Sequence, residues 1–327
     1  MTQRFRHHHP GLPLYRRNLN LRSPAMRTRT TGNAGFGILP TCVTATLLAG
    51  CATPSQPRNS APENWHTWQQ QRRESVAGTN GWTTIVGLYW LKEGRYTVGP
   101  GPEAAIQVTP EGPRGEFIRA GANVWFHPAP GLAVTVDGRS VDTAIQLASD
   151  APGPATKLNY GQHQLWLLER GDRLGIRVRD RASAARRDFH GLSYFPWQAR
   201  WQIEARFEAH PAGQTLPIRD VTGATKSEPN PGVIIFLHDG REHRLEALAD
   251  AETQDLFILF RDGTSGSSTY PPGRFLHAPY PDAQGRVILD FNRAYNPPCA
   301  FTDFATCPRP PAENQLPFPV SAGEKRH

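Results

Sequence analysis

The chain has 327 residues, with 36 Lys and Arg against 29 Asp and Glu and a formal net charge of +7. The first 50 residues carry seven Arg and no acid, so the remainder is balanced at 29 of each sign, and the basic surplus that would point to nucleic acid or an anionic surface belongs to the leader alone. Nucleic acid is therefore not an expected partner, no apolar run reaches the roughly 18 residues of a spanning helix, and 30 Gly with 31 Pro favour short strands and turns over long helices.

Residues 1–25 fit no part of an export signal and are expected to precede the true start at Met26. Residues 26–50 run from a basic stretch with Arg27 and Arg29, through a short apolar stretch, to small residues at the end, the order of a signal peptide. Leu48, Ala49, Gly50 and Cys51 resemble the lipobox of bacterial lipoproteins. That resemblance implies that the Cys51 thiol receives diacylglycerol, that the preceding peptide is cut, and that the new amino terminus is acylated. Three acyl chains would hold the chain durably on a bilayer, since each buried CH₂ contributes roughly 0.8 kcal/mol. With Ala52 next, and no Asp there, the resemblance implies the outer membrane, facing the periplasm. Residues 51–64, with Pro54, Pro57 and Pro62 among Ser, Gln and Asn, have little apolar surface to bury and are expected to be a flexible tether.

Trp65, Trp68 and Val76 recur at helical spacing, which predicts an amphipathic helix within 65–81. A first β domain is expected over 82–181. Its apolar run at 82–89 is followed by short strand-like pieces at 94–99, 106–108, 116–118 and 123–126, with a hairpin over 132–145 turning at Asp137 and Gly138. A second hairpin joins 164–168 to 174–178 through Arg170, Gly171 and Asp172. This order is similar to the forkhead-associated β-sandwich, a likeness that implies fold only. Pro100 stands where that family has its phosphate-contacting Arg, and no Ser-x-x-His follows Val108.

A second β domain is expected over 186–327. Residues 200–210 put Trp201, Ile203, Ala205 and Phe207 on one face, as a half-buried strand does. Residues 232–237 and 241–248 flank Asp239 and Gly240, and further strands are expected at 256–260 and 287–291. The fold class is thus mainly β: an N-terminal helix, a forkhead-associated-like sandwich, then a second antiparallel sheet or partial barrel.

Asp188, His190, Gly191, Phe195, Pro196, the 260–266 segment, Gly273, Arg274 and Phe275 lead to a distinctive string that runs from Asp290 through Asn292, Arg293, Tyr295 and Asn296 to Pro297, Pro298 and Cys299. With Cys307, Pro308, Glu313, Asn314 and the 322–325 segment, these residues resemble domain of unknown function family 1684, from Trp65 to Lys325. The resemblance implies relatives and no particular reaction.

The prolines at 297 and 298 force the end of the last strand into a rigid polar loop, and such loops often carry binding groups. Arg261, Arg274, Asp290, Asn292, Arg293, Tyr295 and Asn296 are therefore the expected wall of a polar pocket for a small or extended ligand. Mutual strand capping is the alternative use of the same side chains. A hydrolase would draw on Ser265 with His277 as its base, although none of Gly-x-Ser-x-Gly, His-Glu-x-x-His or Gly-x₄-Gly-Lys occurs. No cofactor and no metal are expected. A third reading is a structural or interaction protein. Cys299 and Cys307 are expected to pair as a disulfide in an oxidising envelope, while zinc held with His277 or Asp303 is disfavoured by the Cys-x₇-Cys spacing.

Overall fold

Helix α1 (Glu63–Ala77) begins inside the segment expected as tether, because Pro62 at its N-cap already holds φ at −68° and Glu63 puts a carboxylate into the first turn. It buries Trp65, Arg72 and Val76. Trp65 Nε1 donates to the Asn292 carbonyl at 3.1 Å, tying the helix to residues far along the chain. The computed structural model describes residues 61–151 and 153–327. The expected export signal, the expected lipidation site Cys51 and the expected tether up to residue 60 lie outside these residues.

Eleven strands follow, in two sheets. β1 (Ile85–Leu91), β2 (Gly94–Gly99), β3 (Ile106–Gln107), β4 (Gly115–Ala120), β5 (Asn123–Pro128) and β6 (Val134–Val136) precede β7 (Arg139–Val141) and β8 (Ile145–Gln146). β9 (Lys157–Tyr160), β10 (His163–Arg170) and β11 (Arg173–Asp180) complete the set. One sheet has the order β1-β11-β10-β9-β6-β7 and the other β3-β2-β4-β5-β8, with β2 and β3 the parallel pair. The β6–β7 hairpin turns at Asp137 and Gly138 with φ of 48° and 77°, the left-handed pair that Asp-Gly supplies at a type I′ turn. Side chains from both sheets, among them Phe117, Phe126, Leu165 and Ile176, form one core.

After the short helix α2 (Ala184–Arg187) come β12 (Gln202–Ala209), β13 (Thr215–Arg219), β14 (Thr225–Pro229) and β15 (Gly232–His238), then β16 (Arg241–Ala249), β17 (Leu256–Phe260), β18 (Arg274–Ala278) and β19 (Arg286–Asp290). Six of them form an antiparallel sheet in the order β18-β17-β16-β15-β12-β19, and β13 pairs with β14 alone. The edge strands β18 and β19 lie against each other, whereas six strands laid flat at about 4.8 Å would hold their edges roughly 24 Å apart. The sheet is therefore curled into a partial barrel. Alternation points Ile234, Phe236, Leu245, Ile258, Leu276 and Leu289 inward. Phe291, Leu316, Val320 and Ala322 from the C-terminal segment fill that interior.

A smaller apolar cluster covers the outer face of β17 and β18. It joins Ile218, Leu248, Leu259 and Phe275 to Ala305 and Cys307, with Tyr295, Cys299 and Trp82 packed around them.

Candidate functional site

The chain leaving β19 is shaped by side-chain caps. Asp290 accepts from the Asn292 amide at 3.2 Å and from its Nδ2 at 2.9 Å, and Asn292 exchanges two 3.0 Å bonds with the Gln198 backbone. Three residues on, Tyr295 and Phe275 exchange backbone bonds of 2.9 and 2.8 Å, so Tyr295 extends the sheet beside β18. Its hydroxyl meets His277 Nε2 at 2.8 Å. On the other side of the imidazole, Nδ1 faces Asp250 Oδ2 at 3.6 Å, too long for a hydrogen bond. The carboxylate beside Nδ1 favours the proton there, which leaves Nε2 to accept from the phenol.

Burial sets the electrostatics of this row. It pushes the Tyr295 hydroxyl well above the usual phenol range, with the Arg72 guanidinium opposing. It also pushes His277 down against Asp250 and Asp255. Burial would raise Asp250 too, but the backbone amides of Glu252 and Thr253 and the charge of His277 outweigh it and hold the carboxyl below its ordinary value. The result at neutral pH is a carboxylate, a neutral imidazole and a neutral phenol, a set that can orient or relay a proton but offers no ready nucleophile.

Behind Tyr295 lies a buried ion pair. Arg72 Nε meets Glu324 Oε1 at 2.7 Å, with the two side chains 8% and 0% exposed, and Arg72 Nη2 donates to the Asn296 carbonyl at 2.7 Å. The Asn296 amide donates to Glu324 Oε2 at 2.8 Å. Burial pushes the Glu324 carboxyl up while Arg72 and this amide pull it down. With both oxygens accepting, the geometry is that of the carboxylate.

The seven side chains expected to share a pocket wall do not do so. Arg274 is wholly buried, paired with Asp262 at 2.9 Å and donating to the carbonyls of Val320 and Ala322. Asn292 and Asn296 are buried too and hold backbone, Asn296 donating to the Lys325 carbonyl at 2.8 Å. Asp290 faces Gln202 and, at 3.4 Å, Arg293. Arg261 is exposed, and its backbone runs beside Asn314 and Leu316. Tyr295 alone of the seven reaches a titratable partner in the outer cluster. The reason is physical: a desolvated guanidinium or amide needs acceptors, and Asp262, the Gln198 carbonyl and the carbonyls of the C-terminal segment supply them.

Ser265 and His277 are not joined either. The Ser265 hydroxyl accepts from the Asp262 amide at 3.1 Å, and the imidazole belongs to Tyr295. Cys299 and Cys307 are free thiols in contact with each other, the Cys299 amide donating to Cys307 Sγ at 3.0 Å. Sequence reasoning missed Asp250, Arg72 and Glu324. Glu324 stood in the family string and Arg72 on a helix with few apolar residues, but nothing in their spacing signals a mutual contact.

The family model described as "Protein of unknown function (DUF1684)" matches residues 187–325. A solution NMR structure of an uncharacterised protein of Haloarcula marismortui is 35% identical, over 43% of this chain and 78% of that one, with a TM-score of 0.36. The chain belongs to the DUF1684 family. The family match begins at 187 and not at Trp65, so in this DUF1684 protein the model covers the curled sheet and the C-terminal segment, while the first two sheets and α1 lie outside it. No curated protein matches the chain. Both ends of the Tyr295 row, Asp250 and Glu324, fall inside the matched residues, and Arg72 falls outside them.

Proposed function

We propose that this DUF1684 protein is a cell-envelope lipoprotein, held by an acylated Cys51 in the outer membrane on its periplasmic side, that binds a small or extended ligand on the curled sheet. A groove of about 320 Å³ across β12, β15, β16 and β19 carries this reading. Glu204, Arg206, Glu242 and Arg286 stand around an apolar floor that includes Ile235 and Leu237. Leu237 is 67% exposed, and neighbouring Ile288 47%, although large side chains on the solvent face of a strand are ordinarily polar.

The volume lies at the lower end of small-molecule sites. Charges of both signs beside apolar surface suit an extended ligand that carries both, such as a short peptide. The Ser265 hydrolase reading has no hydrogen-bonded base to support it.

The full chain, titrated with a panel of short peptides of mixed charge, is expected to gain melting temperature, because a ligand bound only to the folded state stabilises it by about 2.7 kcal/mol at a hundredfold excess over Kd. Leu237→Asp should abolish the gain without lowering the ligand-free melting temperature, since the side chain is exposed. A gain that survives in Leu237→Asp removes the groove from the proposal. For the anchor, Cys51→Ser is expected to move the chain out of the membrane fraction, and a membrane-bound variant would overturn it.

A further inference from the structure

The segment 299–307 is a strap between the two halves of the molecule. The Thr302 hydroxyl donates to the Ile85 carbonyl at 2.8 Å and the Thr306 hydroxyl accepts from Arg170 at 3.1 Å, both partners lying in the first half. On the other side, the Val221 amide donates to the Cys307 carbonyl at 2.9 Å, and the Tyr270 hydroxyl donates to the Cys299 carbonyl at 3.0 Å. The two thiols stand at the ends of this strap. Cys307 Sγ, 3.0 Å from the Cys299 amide nitrogen, lies within about 4.5 Å of the Cys299 Cα, since N–Cα is about 1.46 Å. A bridge between the two sulfurs is within reach of small side-chain rotations.

The surroundings favour thiol chemistry over ligand capture. The void lined by Cys299, Cys307, Tyr270, Phe275 and Val221 is about 10 Å³, room for one water at most. The two thiols also differ. Cys299 is partly exposed and Cys307 buried. Hydrogen bonding from Cys307 draws the Cys299 thiol down against burial, and the Arg177 guanidinium adds to it. Cys307 moves the opposite way, because its hydrogen bond to Cys299 and its burial both favour the protonated thiol. Arg177, buried on β11, is itself pushed down to about 10 by desolvation and by Arg170.

We propose that Cys299 and Cys307 are a redox-active pair that a small-molecule disulfide oxidises to an intramolecular bond, closing the strap that ties the two halves together. The Cys299 thiolate attacks one sulfur of the oxidant, whose other sulfur leaves with the bonding electron pair and takes a proton. The Cys307 thiol then gives up its proton and displaces the second oxidant sulfur from Cys299. One S–S bond forms as one breaks, two thiols are oxidised, and the oxidant is reduced to two thiols.

The test uses the full chain, incubated with oxidised or reduced glutathione, alkylated, and cut with trypsin. Both cysteines fall in one peptide, 294–325, because Arg309 precedes Pro310 and resists cleavage. The oxidised sample should yield this peptide unalkylated and lighter by two hydrogens, with a melting temperature above that of the reduced sample. In Cys299→Ser and Cys307→Ser the redox dependence of the melting temperature should vanish. Brief alkylation of the reduced protein should label Cys299 several-fold faster than Cys307. Full alkylation of both thiols after oxidant treatment overturns the proposal, as does faster labelling of Cys307 or a redox-dependent melting temperature that persists in both variants.

Discussion

Arg274 and Asp262 show how a polar residue in a strand-end loop becomes structure. The guanidinium, 0% exposed, has one carboxylate and the carbonyls of Val320 and Ala322 as partners, so removing the carboxylate leaves a buried charge without the counter-ion it is hydrogen-bonded to. Asp262→Ala is expected to destabilise the fold by about 3–5 kcal/mol, the range for breaking one side of a buried pair, measured by urea denaturation. A loss below about 1 kcal/mol, as at exposed pairs, would show that the guanidinium finds water. Composition and spacing marked Arg274, Asn292 and Asn296 as polar residues at strand ends, and this is as far as a sequence reaches. Whether such a residue faces a ligand or a carbonyl depends on segments dozens of positions away. Tyr295 is the same case reversed: its rigid setting beside Pro297 was legible, but its partners His277 and Asp250 arrive through strand pairing.

At the scale of elements, alternation and Asp-Gly turns were enough to locate most strands. The 232–238 and 241–249 hairpin turns at Asp239 with φ of 48° and Gly240 with φ of 73°, as its sequence requires. The β13–β14 hairpin escaped notice because only Leu216 and Ile218 of β13 are apolar at alternate positions and β14 has no apolar side chain to bury. The strand β18 escaped because Arg274 opens it. Beyond the strands, the C-terminal segment holds its course through Gly323, whose φ of 75° is left-handed and whose added Cβ would run into the Ala294 carbonyl, the acceptor of the Glu324 amide. Gly323→Ala should therefore lower stability by more than the roughly 1–2 kcal/mol of a left-handed alanine and shift the urea midpoint down. An unchanged midpoint would mean that the segment is free to move.

For the whole molecule, the histidines set a pH limit. Burial pushes His163 in the first half, and His243 and His277 in the second, below 6.5. As pH falls through 6.5 the unfolded chain takes up these protons before the folded one does, so stability declines from that point towards the folded values. Glu324 acts with the opposite sign, because burial raises its carboxyl above 4.5. The difference in unfolding free energy between about pH 7.5 and about pH 5.5 is expected to be smaller in His277→Phe than in the parent chain. An equal difference would mean that His277 does not titrate with a lowered pKa.

Arg72 in the first helix is paired with Glu324 near the last residue, and Leu316, Val320 and Ala322 complete the interior of the curled sheet. A ribosome delivers residue 72 long before residue 324, and domains otherwise tend to fold as they emerge. Here the barrel stays open and the helix unmatched until residues 316–324 have emerged, so the second half of the nascent polypeptide waits unfolded on its own last segment. Prematurely terminated copies expose an unfilled interior, which marks them for the proteases that clear incomplete proteins.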